Sequence, residues 1–272
     1  MMVRKPAVAG QFYPGSEKSL RKKIEECFLH DLGPGKIPKN EGKLHNIKGI
    51  VSPHAGYAYS GPIAAHAYKE VYEDGKPELF IILGPNHRGM GASVSVSDQD
   101  FQTPLGTAKV DKEVANQLVD GVIELNNTAH MGEHSLEVQI PFLQYLWDDI
   151  NMVPLSFNIQ NYRTAKEVGE KIRKVSQGKE TLVIASTDFS HYVIQETAKK
   201  KDKMAIDKIL ENDPKGLFET IQKENISMCG YAPVMAMMIG SGGSKGKLLK
   251  YATSGDIMAM REVVGYASLS FE

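Results

Sequence analysis

The sequence predicts a single three-layer α/β domain built on a mixed central sheet, and three observations carry this. Short, continuously apolar runs recur along the chain: IKGIVS (47–52), LFIILG (79–84), MVPLSF (152–157) and TLVIAS (181–186). Such runs suit strands covered on both faces. Segments of helical periodicity lie between them, which is the alternation of an α/β fold. The chain has 272 residues without an internal repeat, low-complexity tract or clean linker, so residues 1–272 are read as one domain.

The elements follow in order. Cys27 falls on a first helix. Residues 32–46 (LGPGKIPKNEGKLHN) are rich in Gly, Pro and Lys and read as a surface loop. The strand at 47–52 leads to the helix SGPIAAHAYKEVYED (60–74), with Ser60 placed to cap it and Pro62 in its first turn. SVSVS (93–97) alternates as a half-buried strand does. The connections at 87–92 and 98–108 leave room for antiparallel strands, hence a mixed sheet. A short amphipathic helix occupies 111–120. HSLEVQIPFLQYL (134–146) is a longer helical pattern that Pro141 kinks or splits. Further helices are expected at 164–176, 196–212 and 214–224. YAPVMAMMIG (231–240) is an apolar helix ending at a glycine run, and 247–253 and 263–271 are closing strands.

Composition excludes several classes. Hydrophobic residues make up 42% and charged residues 24%, which is globular rather than disordered, collagen-like or coiled-coil. The 32 basic and 33 acidic residues leave a net charge of −1, giving no footing for a nucleic-acid or membrane-surface partner. No run approaches the roughly 18 apolar residues of a membrane span. The opening MMVRKPAVAGQFYPG lacks the apolar core of a secretory signal, and two cysteines are too few for a disulfide framework. The expectation is a soluble, reduced, cytoplasmic protein.

Ligands of α/β sheets bind beyond the carboxyl ends of the strands. IVS is followed by Pro53-His54-Ala55-Gly56-Tyr57, IILG by Pro85-Asn86-His87, and LVIAS by Thr187-Asp188-Phe189-Ser190-His191. One strand-end histidine is ordinarily a hydrogen-bonded loop residue; three at one topological position point to a shared site. Cys229 stands where a polar loop meets an apolar helix, where the helix dipole favours a thiolate, and alone it would read as a small buried apolar residue. Imidazole and thiolate together suit iron, copper or zinc. Asp188 and His191, three apart, are read as an acid/base or carboxylate–imidazole pair. Glu133-His134 opens the longer helical pattern, and His134 is read either as a helix cap or as a site member. His66 is read as structural, His30, His45 and His130 as solvated, and Cys27, Met235, Met237 and Met238 as core. The GSGGSKG run (240–246) lacks the order of a phosphate loop and reads as a turn. Neither a Gly-x-Ser-x-Gly elbow nor a dinucleotide glycine pattern follows any strand.

The stretches PAVAGQFYP (6–14), SPHAGYAYSGPIAAHAY (52–68), LGPNH (83–87), TPLG (103–106), GEHSLEVQIPFL (132–143), STDFSHY (186–192) and CGYAP (229–233) span nearly the whole chain. In these stretches the sequence resembles a microbial member of the Memo family. The resemblance implies an α/β/α sandwich with a mostly parallel central sheet, like that of the class III extradiol dioxygenases. It implies a metal held by His54, His87 and Cys229, catalytic roles for His191 with Asp188 beside it, and a further active-site histidine at His134. Those dioxygenases use two histidines and a carboxylate. Cys229 in the third position favours Cu(I), zinc or a redox-active iron centre over a ring-cleaving one.

Two functions fit. One is a metal-dependent oxidoreductase acting on O2 or a small molecule. The other is a non-catalytic protein that sequesters metal or binds a peptide in the same pocket. Animal members of the family are associated with phosphotyrosine peptides, and microbial members often occur near radical S-adenosylmethionine and AMMECR-type proteins, so a protein partner is an expectation of the resemblance.

Overall fold

The four apolar runs form the adjacent central strands of a twelve-stranded sheet. The computed structural model describes residues 3–272. The strands are β1 (Val3–Arg4), β2 (Gly49–Ser52), β3 (Leu79–Pro85), β4 (Val94–Val96), β5 (Asp100–Thr103), β6 (Gly106–Val110), β7 (Ile123–Leu125), β8 (Asn151–Phe157), β9 (Thr181–Ser186), β10 (His191–Val193), β11 (Gly246–Thr253) and β12 (Val263–Phe271). The helices are α1 (Glu17–Leu29), α2 (Gly61–Asp74), α3 (Lys112–Leu118), α4 (Ile140–Leu146), α5 (Tyr162–Val175), α6 (Gln195–Leu210), α7 (Pro214–Glu224), α8 (Tyr231–Gly240) and α9 (Ser254–Ile257).

The sheet runs β1-β5-β6-β8-β3-β9-β2-β12-β10, with β11 on β12 and β4 and β7 beside β8. The run β8-β3-β9-β2 is parallel throughout, whereas β12 is antiparallel to β2, β10 and β11. Ile81, Ile82 and Leu83 of β3 are fully buried, and each such side chain contributes about 1.5–3 kcal/mol relative to exposure. Helices α1, α2 and α4 pack with one another; α5, α7 and α8 form a second group, with α8 lying on β2, β3 and β9. This is the expected α/β/α sandwich. No helix among the described residues is long and apolar enough to cross a membrane.

Local chemistry sets the element ends. Ser16, Asp111, Asn161 and Asp213 each accept a main-chain N–H as N-caps of α1, α3, α5 and α7. Ser60 does not cap α2: its backbone is already helical, and its hydroxyl donates to the Ala55 carbonyl at 2.8 Å instead. Pro141 splits the 134–146 pattern as anticipated, leaving a 3-10 turn at Glu137–Gln139 and then α4. Strand β4 is buried at all three positions rather than half-buried, because it pairs with both β7 and β8.

The N-terminal segment is tied down by one buried carboxylate. Glu137, with no exposed surface, accepts from Arg4 (2.7 Å), Ala7 N–H (2.8 Å), Val8 N–H (3.0 Å) and the Tyr13 hydroxyl (2.5 Å). Arg4 donates further to the carbonyls of His130 (2.7 Å) and Glu133 (2.6 Å), and its guanidinium lies 4.7 Å above the Phe101 ring. His130 is therefore not solvated, as its polar surroundings in sequence suggested. It is buried, its Nε2 meets the Ser95 carbonyl at 3.0 Å, and burial together with the Arg4 charge lowers its pKa to about 4.

Two stability measurements follow. Arg4→Ala leaves the Glu137 carboxylate buried without its cation and is expected to cost about 3–5 kcal/mol in urea denaturation. His130 is held near 4 in the fold against an ordinary 6.5, so as pH falls the unfolded chain takes up this proton first. The fold then loses up to about 3 kcal/mol between pH 6.5 and 4, and His130→Gln is expected to flatten that limb of the pH–stability curve.

Candidate metal centre

Strands β3, β9 and β2 are parallel neighbours, so their carboxyl ends share one rim. His54, His87 and Asp188 each lie two residues beyond one of these ends. Cys229 reaches the same rim from the turn before α8. Gly230 makes that approach feasible, since a Cβ there would sit 2.5 Å from the Ser186 carbonyl oxygen. Gln160 fixes the turn from outside, donating from Nε2 to the Cys229 carbonyl (2.6 Å) and accepting from Ala232 N–H (3.2 Å).

The donor atoms of His54, His87 and Cys229 all lie within 4.8 Å of one another. Cys229 Sγ is 3.2 Å from His54 Nε2, close to the roughly 3.5 Å between two ligands of one tetrahedral ion. Hydrogen bonding sets the tautomers. Ser186 Oγ donates its only proton to the Ser135 carbonyl (2.6 Å), so towards His54 Nδ1 (2.8 Å) it accepts. His54 therefore carries its proton on Nδ1 and turns a bare Nε2 towards the sulfur. His87 Nδ1 lies 2.9 Å from Glu133 Oε1. Burial works against that carboxylate's charge, but the hydrogen bond from His87 and further N–H donors pull its pKa down to about 2. An ionised Glu133 only accepts, so His87 too presents Nε2. Each imidazole thus has one ring nitrogen held by a polar partner, the arrangement of a histidine that could bind an ion.

Electrostatics keep His54, His134 and Cys229 neutral. Burial, with His134 and His87 nearby, lowers the His54 pKa well below 6.5. Burial likewise lowers His134 to about 4. Burial pushes the Cys229 thiol up, and the Asp188 charge adds to this. The expected help from the helix start is absent: Gly230 N–H goes to Thr187 Oγ1 and Ala232 N–H to Gln160. The sulfur instead accepts from Asp188 N–H at 3.2 Å. A half-buried thiolate here, beside the Asp188 carboxylate, is stabilised by a cation.

His134 stacks on His87, with ring centroids 4.6 Å apart and planes at 23°, and packs against Phe12 at 4.7 Å. It caps no helix; it belongs to the cluster. Asp188 and His191 do not form the expected hydrogen-bonded pair. Asp188 Oδ1 accepts from His54 N–H at 2.8 Å, while His191 Nδ1 meets the Ser227 carbonyl at 2.8 Å. A carbonyl only accepts, so His191 carries a proton on Nδ1. His191 lies outside the donor group, near enough to disfavour the charged form of His54.

His87, Glu133 and His134 also bring ligand atoms within 4.8 Å. The Glu133 oxygens are spent, however: Oε2 accepts His87 N–H (2.6 Å), and Oε1 accepts His134 N–H (2.9 Å) and Ser135 N–H (2.8 Å) as well as the His87 ring. Glu133 is a support for His87. Neither this role nor those of Ser186 and Gln160 was anticipated from sequence. The one available signal was a carboxylate beside the EHS histidine, and its partner lies 46 residues upstream.

Glu133→Gln puts an amide among main-chain N–H donors and removes the anion behind His87. Metal affinity, measured by chelator competition, is expected to fall about 10–100-fold with the fold retained.

A family model described as Memo-like protein matches residues 4–270. The MEMO1 family protein of Methanopyrus kandleri is 47% identical over 280 aligned positions, covering 99% of each chain. That of Methanothermobacter thermautotrophicus is also 47% identical, covering 99% of this chain and 100% of its own. The crystal structure of an uncharacterized protein from Escherichia coli K12 shares the fold at 12% identity, with a TM-score of 0.57 over 82% of this chain and 99% of that one. With a family match across nearly its full length and archaeal relatives at such identity, the chain belongs to the Memo family.

Proposed function

We propose that the protein is a redox-active metal protein that binds iron or copper, with zinc as a non-redox substitute, through His54 Nε2, His87 Nε2 and Cys229 Sγ. The observation that carries this reading is the matched pair of tautomers. Ser186 and Glu133 hold Nδ1 of the two imidazoles, Cys229 Sγ lies 3.2 Å from His54 Nε2, and a donor atom of His87 lies within 4.8 Å of both. When bound, the ion supplies Lewis-acid and electron-transfer chemistry at a rim where the His87 side chain is 33% exposed.

The chain's own residues have separable tasks. Cys229 binds as thiolate, with Asp188 N–H donating to its sulfur. His191, protonated on Nδ1, takes a proton at Nε2 from a ligand or co-substrate. His134, kept neutral by burial, orients that ligand by a hydrogen bond. Asp188, whose carboxyl is pushed up by burial against the pull of the His54 N–H, holds the His54 main chain through Oδ1. The small molecule is O2 or a compound that reacts with it, and the setting is cytoplasmic.

The test is metal analysis of protein purified anaerobically without chelators, beside Cys229→Ser, followed by O2 consumption of the iron- and copper-loaded chains with His191→Ala as control. Stoichiometric metal in the wild type, its loss in Cys229→Ser and a fall in rate of about 100-fold or more in His191→Ala are expected. Equal rates in wild type and His191→Ala remove His191 from the chemistry. Tight metal binding without O2 consumption overturns the enzyme reading in favour of metal sequestration.

A further inference from the structure

Arg88 follows His87 directly and is exposed, yet it is held in place. Asn86 Oδ1 accepts from Arg88 N–H (3.0 Å) and Gly89 N–H (2.9 Å), and Asn86 Nδ2 donates to the Met90 carbonyl (2.7 Å), so the loop backbone is wired from within. The guanidinium itself is anchored by Nε donating to the Gly132 carbonyl at 3.1 Å. Gly132 has φ +78, and a Cβ there would sit 3.2 Å from the Arg88 terminal nitrogen, so the glycine provides the shelf on which the guanidinium rests. Gly132 is two residues from His134, placing this cation beside the stacked pair His134–His87. Among the described residues Arg88 has no carboxylate partner. The acids of the site, Glu133 and Asp188, are buried and accept main-chain N–H groups.

A preorganised guanidinium with two free terminal nitrogens and no counter-ion is an anion receptor. We propose that Arg88 is the specificity-determining anchor of the metal site, and that the ligand it selects is a small organic carboxylate whose acid group pairs with the guanidinium while the rest of the molecule faces the imidazoles. This rests on the metal-binding reading above. A carboxylate is favoured over a phosphate ester because one guanidinium with its Nε already engaged offers one two-pronged contact and one charge. A phosphate dianion calls for more donors than the rim supplies.

The probes are benzoate, phenyl phosphate and neutral benzamide, titrated into the cobalt(II)-loaded full chain and its Arg88→Gln and Arg88→Lys variants. Binding is read from the visible cobalt spectrum and from calorimetry, with metal content measured on the same samples. The variants are expected to load metal as the wild type does. Benzoate is expected to bind saturably to wild type, at least tenfold more weakly to Arg88→Gln, with partial recovery in Arg88→Lys; benzamide and phenyl phosphate are expected to bind more weakly than benzoate. Metal loading with equal benzoate affinity in wild type and Arg88→Gln overturns the anchor while leaving the metal reading intact. A preference for phenyl phosphate or benzamide overturns the carboxylate assignment. Failure of wild type to load any metal overturns both readings together.

Discussion

The charge on Glu137 is the constraint on which the rest of this molecule is arranged. A carboxylate with no exposed surface is tolerable only when fully paired, and here the partners come from a distant part of the chain: Arg4, two main-chain N–H groups and the Tyr13 hydroxyl. The pairing pins residues 4–13 against the segment that starts at His130. Arg4 then reaches the carbonyls of His130 and Glu133, fixing the backbone from which Glu133 and His134 project. Phe12, on the pinned segment, packs against His134. The N-terminal strap is thus structural scaffolding for the rim that carries His87, Glu133 and His134.

At the rim, three histidines reach one state by three routes. A serine hydroxyl whose proton is committed elsewhere holds His54, an ionised glutamate holds His87, and a main-chain carbonyl holds His191. In each case Nδ1 is occupied. The partners differ in charge: an anion stands behind His87 and a neutral carbonyl behind His191, which makes the His87 ring the more electron-rich. Cys229 is the exception, since its surroundings disfavour the thiolate. An ion bound between it and His54 would supply the missing stabilisation.

Much of this was legible in the sequence. The apolar runs became β2, β3, β8 and β9 because continuous apolarity reports a doubly covered strand, whatever lies around it. His54 and His87 were legible because a parallel sheet places strand ends on a common rim, and Cys229 because it precedes an apolar helix. What was not legible depends on partners far away in the chain. His130 looked solvated because its neighbours in sequence are polar, but Arg4 and Phe101 cover it. Asp188 and His191 looked like a pair at a spacing of three. Instead Asp188 accepts from His54 N–H, and the Ser227 carbonyl claims the His191 imidazole. Ser60 stood where a cap belongs, yet a main-chain carbonyl five residues upstream competed successfully for its hydroxyl.

The spacing of the donors along the chain has a consequence for biogenesis. Two imidazoles come from the first third of the polypeptide, whereas the sulfur arrives only at position 229 and is brought home by α8 lying across the finished sheet. A nascent chain still threading through the ribosome has nothing that resembles the complete chelate. The full donor set therefore exists only once α8 has packed on the sheet.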